Sequence, residues 1–117
     1  MHELYPKFII EDGNLIISKV VFHKEMVKDP SKVRGGGWFK WGESAEGKKM
    51  MIFYGESHDF GKATFEDIVE CVKSGNVYSD RRMYRNITED FEFGYSTGTE
   101  ILDIKKYIQE SETKEES

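Results

Sequence analysis

The sequence predicts an α+β domain: an antiparallel sheet built of hairpins, with one clear helix at about 64–74 and a second at about 99–109 on one face. Three observations lead there. Asp12-Gly13 lies between two apolar, isoleucine-rich runs, Lys7 to Ile10 and Leu15 to Phe22, which is the strongest short-range hairpin signal. Phe65, Ile68, Val69 and Val72 recur at i, i+3, i+4 and i+7, a single helical stripe. Strand patterns come in neighbouring pairs and helical ones late, an order that suits helices packed on an antiparallel sheet better than a doubly wound parallel fold.

Taken in order, strands are expected near 6–11 and 14–23, with Ile16, Val20 and Phe22 on one face and Lys19 and His23 on the other. Residues 24–37 are polar, contain Pro30 and end in Gly35-Gly36-Gly37, which reads as a loop. Trp38 to Trp41 then reads as a strand, Gly42 to Lys49 as a connection, and Met50 to Tyr54 as the antiparallel partner. Thr64 and Asp67 stand at capping-box spacing before the first helix, and Gly75 is placed to end it. Residues 76–88 suit one or two short strands around Ser79 to Arg82. Phe91, Phe93 and Tyr95 alternate with polar or small residues, as in a half-buried strand. Thr97 and Glu100 repeat the cap spacing, and Ile101, Ile104 and Ile108 carry the second helix. A single domain over 1–109 is thus expected, with 110–117 a disordered acidic tail that has no apolar anchor.

The 117 residues suit one domain able to bury a core without staples, and 33% charged residues point to a well-solvated surface. With Cys71 alone, no intrachain disulfide forms. No leader pattern opens the sequence and no apolar run approaches the length of a membrane span, so a cytoplasmic, soluble protein is expected. Asn86-Ile87-Thr88 then has no bearing as a glycosylation site. Net charge is −5, and residues 89–117 hold nine acids against three bases. Residues 1–88 hold thirteen acids against fourteen bases, a near-neutral body that argues against a dedicated nucleic-acid binder.

Several motifs fail on their partners. Gly94-Tyr95-Ser96-Thr97-Gly98 spells a nucleophile elbow, but His2, His23 and His58 all precede Ser96, the wrong order for that triad. Asp59-Phe60-Gly61 matches the kinase triplet with no other kinase element beside it. His58-Asp59 is a candidate acid–base pair, although adjacent residues seldom point the same way and no other histidine stands at ligand spacing. Cys71 flanks the helix stripe as a packing thiol. No cofactor or metal site is expected, and the reading leans away from an enzyme.

Two stretches remain. Gly35-Gly36-Gly37-Trp38-Phe39-Lys40-Trp41 lacks both phosphate-loop and dinucleotide spacing. Strand alternation puts Trp38 and Trp41 on opposite faces, so one of them is free to stack on a partner. Tyr78, Arg81, Arg82, Tyr84 and Arg85 interleave aromatics with cations, as single-strand binders do, but the arginines can equally pair with Glu89, Asp90 and Glu92. The favoured reading is a non-enzymatic accessory or interaction module that docks a protein partner on the glycine–aromatic loop, with Gly35, Gly36, Gly37, Trp38, Trp41, His58, Arg81, Arg82, Tyr84 and Arg85 as candidate binding residues. The alternatives are a weak single-stranded nucleic-acid binder using Trp38, Trp41, Tyr84 and Arg81, Arg82 and Arg85, and a small enzyme using His58 and Asp59.

Overall fold

In a computed structural model, which describes residues 5–20, 27–81 and 83–116, the chain forms one mixed eight-stranded sheet and two helices. The strands are β1 (Tyr5–Glu11), β2 (Asn14–Val20), β3 (Val33–Glu43), β4 (Lys49–Tyr54), β5 (Val77–Arg81), β6 (Met83–Asn86), β7 (Glu92–Ser96) and β8 (Ile101–Asp103). The helices are α1 (Phe65–Lys73) and α2 (Ile104–Glu116). No helix of the described residues is long and apolar enough to cross a membrane.

The α+β class stands, but the sheet is not purely antiparallel. Its order is β6-β5-β2-β1-β3-β4-β7-β8, and two pairs, β2 with β5 and β4 with β7, are parallel. All the hairpins read from local pattern are there; the parallel pairs join strands far apart in sequence, where local patterning carries no signal. The sheet curls into a half-barrel with both helices against its inner face.

Phe8, Ile10, Leu15, Ile17, Phe39, Met51, Phe53 and Phe93 point inward and pack with Ile68, Cys71 and Val72 of α1 and Ile104 of α2. Phe8 meets Phe53 edge-on at 4.9 Å, and Phe53 stacks on Phe93 at 6.0 Å. A smaller cluster, Ile9 and Ile16 with Val20 and Val27, lies on the outer face. Both faces of β2 therefore bury apolar residues. Phe22 and His23 lie outside the described residues.

The glycine triplet corrects the loop reading, since Gly35 to Gly37 lie buried inside β3 and pair with Ile10, Ile9 and Phe8 of β1. The 57–63 connection runs directly over them. Gly36 donates to Gly61 O at 3.1 Å and accepts from Ser57 N at 3.1 Å. A Cβ on Gly35 would stand 2.7 Å from Ala63 N, and one on Gly37 2.6 Å from Tyr54 O. Gly35 and Gly37 are glycines because backbone occupies the space their side chains would need.

α1 starts as expected, Thr64 Oγ1 accepting from Asp67 N at 3.1 Å. It ends in a Schellman arrangement, with Gly75 N donating to Val72 O and Asn76 N to Cys71 O around a left-handed Gly75. The second helix departs from expectation at both ends. Thr97 closes the β7–β8 hairpin: its backbone N donates to Glu100 O at 3.0 Å and its hydroxyl accepts from Glu100 N at 3.2 Å. Asp103 caps α2 instead, accepting from Lys106 N at 3.1 Å. From there α2 runs to Glu116, past the expected end at about 109. The residues beyond Ile108 include no Gly or Pro to stop it.

Candidate functional site

The helices cover only one end of the concave face. α1 sits where β1 turns into β2, with Cys71 Sγ donating to Gly13 O at 3.4 Å. Towards the other end of the same strands the inner face lies open as a cleft of about 420 Å³. This is within the usual size range of small-molecule sites, about 300–1,000 Å³.

The floor is apolar: Ile17 of β2, Phe39 of β3, Met51 of β4 and Ile87 just beyond β6, all buried. Trp41 and Phe91 wall one side, ring centroids 5.0 Å apart, and Phe39 meets Trp41 edge-on at 6.0 Å. Lys49 Nζ stands 4.3 Å from the Trp41 ring centroid. With one cation on its face and two aromatic neighbours, Trp41 is held as a wall, although 45% of its surface remains exposed.

Sheet register brings the polar lining together. Arg85 of β6 is opposite Ser79 of β5, which is opposite Ile17 of β2; Lys19, two residues along from Ile17, points to the same side. Among the described residues Ser18, Lys19, Ser79 and Arg85 supply the polar groups of the cleft, and no acid lies in its lining. Arg85 is nonetheless engaged: its Nη2 donates to Asp90 Oδ2 at 2.8 Å. Asp90 is held by the turn in which its N donates to Ile87 O at 3.0 Å. Thr88 anchors the same turn, its Oγ1 accepting from Val77 N at 3.1 Å, and Asn86 Nδ2 donates to Gly75 O at 2.7 Å. The Asn86-Ile87-Thr88 triplet thus works as structure.

Of the residues singled out in the sequence, Trp41 and Arg85 meet at this cleft. Trp38 faces the opposite side of the sheet, packed on Gly55 with Lys7 Nζ 4.7 Å from its ring. Strand alternation separated the two tryptophans as expected, yet Trp41, on the core side, is the more exposed, because the half-barrel is open there. His58 and Asp59 stand exposed in the tight connection closed by Gly61 N donating to Ser57 O, and neither lines the cleft. Gly35, Gly36 and Gly37 are backbone-packed within β3 and offer no docking loop. Arg82 lies outside the described residues, as do the side chains of Arg81 and Tyr84. The predicted pairing of the arginines with neighbouring acids holds for Arg85 and Asp90.

Ser96 ends β7 and leads into a β-hairpin, not the helix a nucleophile elbow requires. Cys71 is buried, and that burial, with Asp67 and Glu70 adding repulsion, pushes its thiol up to about 12. Among the described residues no cluster of three or more His, Cys, Asp or Glu is arranged to hold a metal ion.

Sequence reasoning missed Ile17, Lys19, Phe39, Met51, Ser79, Ile87 and Phe91 as a group. Their alternation within strands was visible, but their convergence depends on the parallel β2–β5 pair. Compared with protein-family models, curated proteins and solved structures, the chain matches none of them.

Proposed function

We propose that this domain is a non-enzymatic binding module whose ligand carries an apolar body into the concave cleft. One observation carries the reading: about 420 Å³ of open, apolar-floored space on the inner face of the half-barrel, walled by Trp41 and Phe91 and edged by Lys19 and Arg85. A cleft with few, convergent polar groups on a rigid sheet suits recognition of a small amphipathic molecule. Chemistry has less support. Among the described residues the lining contains no His, Cys, Asp or Glu to act as a base, and His58 and Asp59 lie elsewhere. Strand stacking of bases gains no support either, since Trp38 and Trp41 face opposite sides and Lys49 caps a Trp41 face.

Decanol is a neutral probe for the apolar part alone. It should bind saturably, change tryptophan emission and raise the melting temperature by linkage. Ser79→Phe, at a half-exposed position inside the cleft, should fill the space and remove both responses without unfolding the domain. Identical decanol binding by wild type and Ser79→Phe would show that the cleft is not the site.

A further inference from the structure

We infer that the ligand is an amphipathic carboxylate, whose apolar tail fills the cleft and whose head group takes Arg85 over from Asp90. The inference rests on the cleft reading above and adds the chemistry of the head group.

Charge complementarity is the first argument. Among the described residues the cleft is lined by the cations Lys19 and Arg85 and by no acid, a lining whose field favours a negative group at the rim and disfavours a positive one. Geometry is the second. Arg85 and Lys19 are two strands and two residues apart on one face, about 12 Å between backbones at ordinary strand spacing and rise. Side chains of that length can close on one carboxylate from both sides. Arg85 also presents a planar fork suited to bidentate binding of a carboxylate.

The third argument is the state of Arg85 itself. Its present partner, Asp90, lies outside the cleft lining, and both side chains are solvent-exposed. An exposed ion pair of this kind is weak and readily exchanged. The pair keeps the guanidinium at the cleft edge when the site is empty and offers the same oxygen geometry that a ligand carboxylate would bring. Lys19 is exposed in the same lining and supplies a second cation. Exchange is then ligand carboxylate for protein carboxylate at Arg85, with Lys19 as the added attraction.

Isothermal titration of decanoate, decanol and decyltrimethylammonium, each below its micelle concentration, tests this on the full chain. Decanoate should bind about tenfold more tightly than decanol, as expected of a charge-assisted contact, and the ammonium should bind least. Arg85→Gln should weaken decanoate about tenfold and bring its affinity close to that of decanol, and Asp90→Asn should tighten decanoate severalfold by releasing Arg85. Both sites are exposed, and circular dichroism melts would verify the fold of each variant. Equal affinities for decanoate and decanol, or a decanoate affinity indifferent to both substitutions, would overturn the head-group inference while leaving the cleft reading intact. Failure of all three to bind would remove the cleft reading as well.

Discussion

At the scale of single residues, the most informative side chains are those whose surroundings leave them one role. Gly35 and Gly37 cannot carry a Cβ because Ala63 N and Tyr54 O occupy its place, so a composition that reads as loop belongs to a strand interior. Counting glycines could not reveal this, since the backbone of Tyr54 and Ala63 is close only in space. Cys71, in contrast, was legible: its position beside an apolar helix stripe implied a packing thiol, and it is buried. Its raised ionisation ties stability to pH in one direction. An unfolded thiol loses its proton near the ordinary value of 9.0, whereas the folded one holds it to about 12. Below about 9 both states are protonated and stability is unaffected; between about 9 and 12 the unfolded state alone ionises, so stability falls as pH rises. Urea midpoints measured across that window should decline, and those of Cys71→Ala should decline less steeply because that variant lacks the thiol. Parallel slopes in the two proteins would mean the thiol is not held protonated by the fold.

At the scale of elements, local patterns were read best where local physics decides. α1 has a capping hydroxyl, an apolar stripe and a left-handed glycine at its end, and all three signals found their partners within a few residues. The Thr97–Glu100 spacing misled because a threonine hydroxyl accepting from an amide three residues on is common to helix caps and to tight turns. The partner waiting for the next few residues decides between them. Here Ile101 to Asp103 pair with β7 first, and only then does Asp103 open the helix. Thr97 and Asp103 consequently differ in the element each one holds. Asp103→Ala should cost on the order of 1 kcal/mol by leaving an amide of the first turn of α2 without its acceptor. Hydrogen exchange should show faster opening in the first turn of α2, with the β7–β8 amides little changed. Loss of protection centred on the hairpin instead would show that Asp103 serves the strand pair more than the helix.

At the scale of the whole molecule, the fold was legible as a class and the cleft was not. Alternation showed which side chains lie on one face of each strand, but the order in which strands meet is set by the long-range β2–β5 and β4–β7 pairs. Those pairs curl the sheet and leave its inner face half covered, so a position such as Trp41 is core-facing by pattern and solvent-facing in fact. The same global arrangement separates the two binding classes. For a phosphate backbone to be gripped, several cations must stand free along a track with an aromatic platform beside them. Here Trp38 is on the far face and Trp41 is capped by Lys49, which leaves no aromatic platform beside Arg85 for successive bases. The C-terminal quarter, with nine acids and three bases, adds long-range repulsion. A labelled dT oligomer monitored by fluorescence anisotropy should therefore show negligible binding at physiological salt, in wild type and in a chain ending at residue 109 alike. If it binds, the log–log dependence on salt decides the cause, since each phosphate contacted contributes a slope of about −0.7. Micromolar affinity with a steep slope that Arg85→Gln flattens by about one contact would replace the amphipathic carboxylate with a nucleic-acid strand as the ligand of this face.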